Sequence, residues 1–226
     1  MPEEPTPLPQ DAFRPFQTAV VPGVDGLHRA MRSILDTELS AGSTILVVGA
    51  GGGRELQTLG ASPANYRLVG VDPSAELLSL AKAYVAADHL DLRTTLVEGV
   101  VDNLTEDPVF DAATALFVMH FLPDDGSKLG FLTSIRKRLK PGAPYIHVDV
   151  CFDNAAMYER MEHAYARHAI LGGLAPDAAA EVASRVGAMP IVSDTVIRER
   201  LTQSGFKIVA PFYRGLWYAG WWAEAQ

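Results

Sequence analysis

The stretch Ile45-Leu46-Val47-Val48 runs into Gly49-Ala50-Gly51-Gly52-Gly53, and a second stretch, Arg67-Leu68-Val69-Gly70-Val71, delivers the acid Asp72. An apolar run of this length bounded by glycines is the pattern of a buried strand. The glycine run then reads as a tight turn opening a helix, with backbone able to approach a ligand closely and amide hydrogens clear of side chains. Asp72 falls 21 positions after Gly51, at the tip of the next predicted strand. A carboxylate there can accept both hydroxyls of a ribose. Together the two segments predict a nucleoside-containing cofactor on an open α/β sheet.

Glycine turns of this kind serve several cofactors. Gly49, Gly51 and Glu55 fit the dinucleotide fingerprint only loosely, because Arg54 and Glu55 stand where a third small residue belongs. That disfavours NAD or FAD. Thr95 to Asp102 reads as a third strand and its exit, and Phe110 to Leu122 as a fourth. Arg138-Leu139-Lys140-Pro141-Gly142-Ala143 ends a helix and turns into a fifth strand, Tyr145 to Val150.

Taken in order, VVGAGGG, GVDPSAELL, FDAATALFVMHFL and RLKPGA resemble the class I S-adenosylmethionine (SAM) dependent methyltransferases over residues 43–150. The resemblance implies an α/β, Rossmann-like seven-stranded sheet: five parallel strands plus a C-terminal antiparallel hairpin. It implies SAM as cofactor, contacted by Gly49, Ala50, Gly51, Asp72, Pro73, Val100, Val101 and Leu116. Two family acids are replaced: Val47 stands two residues before the first glycine, and Val100 follows the third-strand Glu98-Gly99. Glu98, Asp102 or the backbone at Val100 and Val101 are the substitutes on offer.

Within the family the chain is most similar to the carboxy-SAM synthases of tRNA wobble-uridine modification. The likeness rests on Val21-Pro22-Gly23, His120-Phe121-Leu122, Ser193-Asp194-Thr195 and RERLTQSGF at 198–206. Those enzymes hold a substrate carboxylate with an arginine, to which Arg185 is nearest by position. Val24, Leu116 and Val100 replace three polar residues of that pattern. Conventional methyl transfer to a small molecule is therefore the expectation. A SAM-converting enzyme and a non-catalytic nucleoside-binding protein are the alternatives.

Methyl transfer needs a general base only when the acceptor holds a proton, and His120, just past strand four, is the candidate catalytic residue. Arg185, Tyr158 and Tyr213 are the candidate substrate contacts, although Tyr158, Met161 and Tyr165 share a helical face that packing alone explains. His163 and His168 are not spaced as a helical metal pair, so no metal is assigned.

The rest of the chain sets the frame. At 226 residues it has room for one domain with a sizeable core. The net charge of −8 argues against nucleic acid as partner. A lone cysteine, Cys151, and no apolar run of membrane length point to a cytoplasmic protein, with a homodimer as a candidate assembly. Residues 1–10, acidic and proline-rich, read as a disordered tail, and 11–226 as the single domain. Phe13, Phe16 and Val20 mark a lead-in over the cofactor mouth. Residues 153–187 read as a two-helix insertion, a lid before the last strands. Phe206 to Ala210 reads as strand six, Pro211 to Gly215 as a turn, and Leu216 to Glu224 as strand seven, whose alternation sets Trp217 and Trp221 on one face.

Overall fold

The computed structural model describes residues 12–104 and 110–226. The expected tail at 1–10 lies outside the described residues. In chain order the elements are α1 (Phe13–Val20), α2 (Val24–Glu38), β1 (Thr44–Val48), α3 (Arg54–Gly60), β2 (Arg67–Asp72), α4 (Ala75–Ala87), β3 (Thr94–Glu98) and β4 (Ala112–Leu116). There follow α5 (Ser127–Lys137), β5 (Pro144–Val150), α6 (Ala155–Leu171), α7 (Pro176–Gly187), α8 (Asp194–Gln203), β6 (Phe206–Gly215) and β7 (Tyr218–Ala225).

The strands form one sheet in the order β3-β2-β1-β4-β5-β7-β6. The first five are parallel to one another, and β7 runs antiparallel between β5 and β6. This is the expected arrangement. The order reverses at β1, where β2 lies on one side and β4 on the other, so the crevice of an open sheet falls at that switch point.

Buried parallel strands need apolar side chains on both faces. Alternation on β1 sends Ile45 and Val47 toward α2, α3 and α4, where Leu27, Met31, Leu56, Leu59 and Ala81 cover them. Leu46 and Val48 face the opposite layer, where α5 and α8 contribute Leu132, Ile135, Ile197 and Leu201. A third cluster joins α1, α6 and α7 to Trp217 and Tyr218. Through it the insertion packs against the lead-in helix beside the carboxyl ends of the strands.

Two expectations are corrected. The predicted fourth strand ends at Leu116, because Phe117 takes a left-handed φ of 62° and Met119–Phe121 forms a 3-10 turn. The predicted turn at Pro211–Gly215 is strand: β6 continues to Gly215 through register shifts at Ile208/Ala210 and Pro211/Tyr213. An edge strand tolerates Pro211 because no neighbour needs its missing N–H, and bulges absorb the mismatch. The reversal falls instead at Leu216, with φ 51°, and Trp217. Trp217 therefore leaves the β7 alternation and joins the α1/α6/α7 cluster, while Trp221 packs against α5 and α8.

At the end of the sheet away from the crevice, Asp36 on α2 accepts hydrogen bonds from the Tyr66 hydroxyl (2.9 Å) and the Ser62 hydroxyl (2.6 Å), and Arg32 reaches its other oxygen (3.1 Å). These contacts pin α2 across the sheet. Asp36→Ala strands the Ser62 hydroxyl and leaves the Tyr66 hydroxyl only its longer contact to the Leu35 carbonyl (3.2 Å), and should lower stability by roughly 1–2 kcal/mol in urea unfolding. It should leave ligand binding at the opposite rim unchanged.

Candidate active site

A cavity of about 970 Å³ lies across the carboxyl ends of all five parallel strands. Val48, Asp72, Gly99, Leu116 and Val150 each reach it from a strand end or the residue just beyond. A second depression, about 700 Å³, lies between α8 and β6 at the far end of the sheet and bears on none of these residues.

The wall below the cavity is the glycine turn. Gly49 and Ala50 both donate to the Val71 carbonyl (2.9 and 3.0 Å). Gly51 donates to Asp72 Oδ2 (2.9 Å), Gly52 to the Leu77 carbonyl (3.4 Å) and Gly53 to the Ala50 carbonyl (3.1 Å). Every amide of the run is spent inside the protein. The expectation of free amide hydrogens is thus corrected, because the β2 end takes the first three and the Leu77 and Ala50 carbonyls take the last two. A pyrophosphate would find no unused donors in this run, which counts further against a dinucleotide.

Glycine is required here for space as well as conformation. Gly49 has φ 75°, and a Cβ on it would meet Val118 Cγ2 at 2.4 Å. A Cβ on Gly51 would meet Asp72 Oδ2 at 2.7 Å and Leu77 Cβ at 2.8 Å. Asp72 Oδ1 in turn accepts from Ser74 N–H (2.9 Å), at the start of α4. The carboxylate is thereby fixed at the cavity wall with lone pairs to spare.

Of the predicted cofactor and catalytic residues, seven line the cavity: Gly49, Asp72, Pro73, Val100, Val101, Leu116 and His120. Ala50 and Gly51 lie behind its wall. The Ala50 methyl packs into the core beside Gly70, and Gly51 holds Asp72 from behind. Of the predicted substrate contacts, Arg185 lines the cavity, its guanidinium paired with Glu181 (2.5 Å). Tyr158 and Tyr213 do not line it. Tyr158 stacks between Phe152 and Trp217, and the Tyr213 hydroxyl donates to the Pro22 carbonyl; both are consumed by packing. The lead-in reaches the cavity through Phe13, Phe16 and Val20, and the 153–187 segment through Tyr165, Val182, Arg185 and Val186.

Two acids that pattern reading passed over stand in or beside this cavity. Glu55, in the first turn of α3, is 7 % exposed and its Oε1 accepts from the Thr114 hydroxyl (2.7 Å). Burial, with the Asp72 charge adding to it and the Thr114 hydrogen bond opposing, pushes its carboxyl up to about 8. The signals were an acid after the glycine turn and the one hydroxyl, Thr114, in the buried strand Ala112–Leu116. Asp149, on β5, contacts His120 Nδ1. Its signal was polar residues at alternate positions, Tyr145, His147 and Asp149, in a wholly buried strand. Cys151 is buried and burial pushes its thiol up to about 11, the behaviour of a packed side chain.

Comparison with known proteins agrees with this geometry. The family described as "Methyltransferase domain" matches residues 46–145. No curated protein sequence matches. Among solved structures, a possible exported protein from Bordetella parapertussis superposes with TM-score 0.66 at 19 % identity, over 90 % of this chain and 69 % of that one. The mitomycin 7-O-methyltransferase MmcR gives 0.62 at 17 % identity, over 90 % of this chain, which spans only 55 % of that enzyme. A SAM-dependent methyltransferase from Aquifex aeolicus gives 0.62 at 16 % identity, over 97 % of this chain and 100 % of that one. At these identities the likeness fixes the fold, which is the Rossmann-like class I methyltransferase fold. No helix among the described residues is long and apolar enough to cross a membrane.

The buried acid makes a testable pH signature. Glu55 binds its proton more tightly folded than unfolded, so its contribution to stability falls as pH rises from about 4.5 to about 8. Burial depresses His28 and His147 to about 4, so their contribution rises with pH between about 4 and 6.5 and is then flat. Between pH 6.5 and 8 the Glu55 slope therefore stands apart from theirs. Glu55→Gln should flatten the fall in melting temperature over that window, read by calorimetry against the wild type.

Proposed function

We propose that the protein is a SAM-dependent methyltransferase acting on a small molecule. The carrying observation is Asp72, a carboxylate held at the cavity wall by Gly51 and Ser74 on the rim where the sheet order reverses. Its remaining lone pairs suit the two hydroxyls of a ribose, and Leu77, Val100 and Val101 give an apolar bed for a flat base beside it. The cavity is larger than a nucleoside needs, as a donor and an acceptor together require.

The residues present fit the cofactor despite Val47 and Val100. Val47 points into the core beneath the cavity, and Glu55, across the glycine run at the start of α3, brings a carboxyl to the wall instead. A cation placed beside Glu55 would draw off its proton and leave a compensating charge. When bound, the cofactor supplies an electrophilic methyl group on a sulfonium. The protein's part is to orient both partners and keep water out, which suits a cavity lined chiefly by apolar side chains from α1, α6, α7 and the strand ends. His120, on the cavity wall, is the residue placed to accept a proton from the acceptor.

A second reading, the carboxy-SAM synthase branch, is favoured by one observation: Arg185 does reach the cavity. Its pairing with Glu181 and the loss of polar side chains at Val100 and Leu116 make conventional methyl transfer the preferred one. Mass spectrometry of nucleosides retained on purification separates the two, since a carboxylated donor is heavier.

Titration calorimetry tests the main reading. SAM and S-adenosylhomocysteine should both bind, and NAD should not. Asp72→Asn should weaken both nucleosides by about 10–100-fold, because they share the ribose. Failure of both to bind the wild type at millimolar concentration would overturn the assignment.

A further inference from the structure

Strand β5 carries a line of polar groups that the cofactor reading does not use. Tyr145, His147 and Asp149 occupy alternate positions on one face, all within 1 % of complete burial. The Tyr145 hydroxyl lies 3.0 Å from His147 Nδ1. His147 Nε2 lies 3.9 Å from Asp149 Oδ2, and neither of those two buried atoms has a hydrogen-bond partner. Asp149 Oδ1 meets His120 Nδ1 and also accepts from Val150 N–H (2.8 Å). His120 lines the cavity. The line therefore runs from the interior of the sheet to the cavity wall.

We propose that Asp149, backed by His147 and Tyr145, positions His120 as a base whose Nε2 faces the cavity, and that the acceptor is an apolar molecule bearing a hydroxyl. This rests on the methyl-transfer reading for its purpose, though not for its geometry.

The proton placement follows from the contacts. Asp149 is an acceptor on both oxygens, so His120 carries its proton on Nδ1 and leaves the Nε2 lone pair free. Burial alone would raise the Asp149 carboxyl, but His120, His147 and the Val150 amide hold it below the ordinary range. It stays ionised. The same logic fixes His147. An Nε2 lone pair set against Asp149 Oδ2 would repel it, so Nε2 carries the proton and Nδ1 accepts from Tyr145. Trp221 from β7 lies against the His147 ring and Phe206 from β6 stacks on Tyr145, which keeps both rings in register. From α5, the buried Lys128 ammonium donates to the Met119 carbonyl (2.8 Å) and sets a positive charge near Asp149.

The proton step balances within the site. The acceptor's O–H bond breaks, an N–H bond forms at His120 Nε2, and the oxygen keeps the electron pair. The imidazolium that results faces a carboxylate already ionised. A carboxylate or thiolate acceptor would need no such base at neutral pH, whereas a hydroxyl does. The surroundings of His120, including Phe117, Val118, Phe121 and Phe131, suit an apolar body, with a ring as the natural shape.

Histidine-detected nitrogen NMR on the full chain, without cofactor, tests this directly. His120, assigned through His120→Gln, should show the Nδ1-protonated form, with an Nδ1 proton far downfield. Asp149→Asn should abolish that proton signal and shift His120 toward the Nε2-protonated form, as an amide donor turns to face Nδ1. Tyr145→Phe, which removes one oxygen, should leave His120 in place and shift the His147 Nδ1 resonance, which loses its hydrogen bond, while Nε2 stays protonated against Asp149. Phenol should move the His120 Nε2 resonance in the wild type, and anisole, which has no O–H, should not. A wild-type His120 protonated on Nε2, an unchanged spectrum in Asp149→Asn, an unmoved His147 in Tyr145→Phe, or an equal response to phenol and anisole would each overturn the proposal. None of these readings depends on whether SAM binds, so calorimetry with SAM fails or succeeds separately.

Discussion

The hydrogen bond from Gly51 to Asp72 is the joint on which the site depends. Parallel strands β1 and β2 end side by side, with Val48 opposite Val71. Two amides of the turn close onto the Val71 carbonyl, and the third closes onto the side chain one residue further along. The turn and the acid are therefore one unit. A side chain at position 51 would push the carboxylate off the wall, and losing the carboxylate would free the turn. The same economy decides between cofactors. A glycine run becomes an anion cradle only if its amides are left over, and here the end of β2 and the Leu77 and Ala50 carbonyls have taken them. What the turn presents to the cavity is a fixed acceptor, suited to hydroxyl groups and cations, in place of a ring of donors.

Most of the fold was legible because the first strands carry apolar residues and end at a residue that cannot continue them. Gly49 closes the first, Asp72-Pro73 the second and Gly99 the third. The fourth was misjudged at its exit because Phe110 to Leu122 is apolar almost throughout, while the break is a left-handed phenylalanine, a conformation that side-chain pattern does not announce. The same holds at β6, where Pro211 looks like punctuation but sits on an edge that has no use for its N–H. In the site, Asp72 was legible from spacing. Glu55 and Asp149 were not, because acids are ordinarily read as solvent-facing and both of these are buried. Tyr158 and Tyr213 lie off the cavity, because a tyrosine near a rim satisfies packing and a single hydrogen bond without reaching it.

The left-handed Phe117 also carries meaning. A non-glycine residue held at φ 62° costs about 1–3 kcal/mol and persists only where its surroundings insist on it. Its amide donates to the Val148 carbonyl (2.8 Å), and its ring meets Tyr218 edge-on at 5.4 Å. The strained residue turns the chain off β4 so that the next turn, Met119–Phe121, sets His120 over the end of β5, where Asp149 waits. Without that break, a continuing strand would carry His120 away from the neighbouring strand end.

The two buried acids, Glu55 on the cavity wall and Asp149 behind His120, show how one rim can hold carboxyls in different states. Glu55 has a single hydroxyl for company, so desolvation wins and it keeps its proton at neutral pH. Asp149 is buried as deeply, but His120, the Val150 amide and His147 surround it, so desolvation loses and it stays charged. Carboxyls whose environments drive them apart are the means by which one fold keeps an acid and a base in reach of the same ligand. The separation here is built on rigid elements: Asp149 on a wholly buried strand, and Glu55 on a helix whose first turn is locked by the glycine run. The apolar residues around them do more than enclose a ligand. By keeping water out they make the difference between one hydrogen-bond partner and several large enough to set a charge.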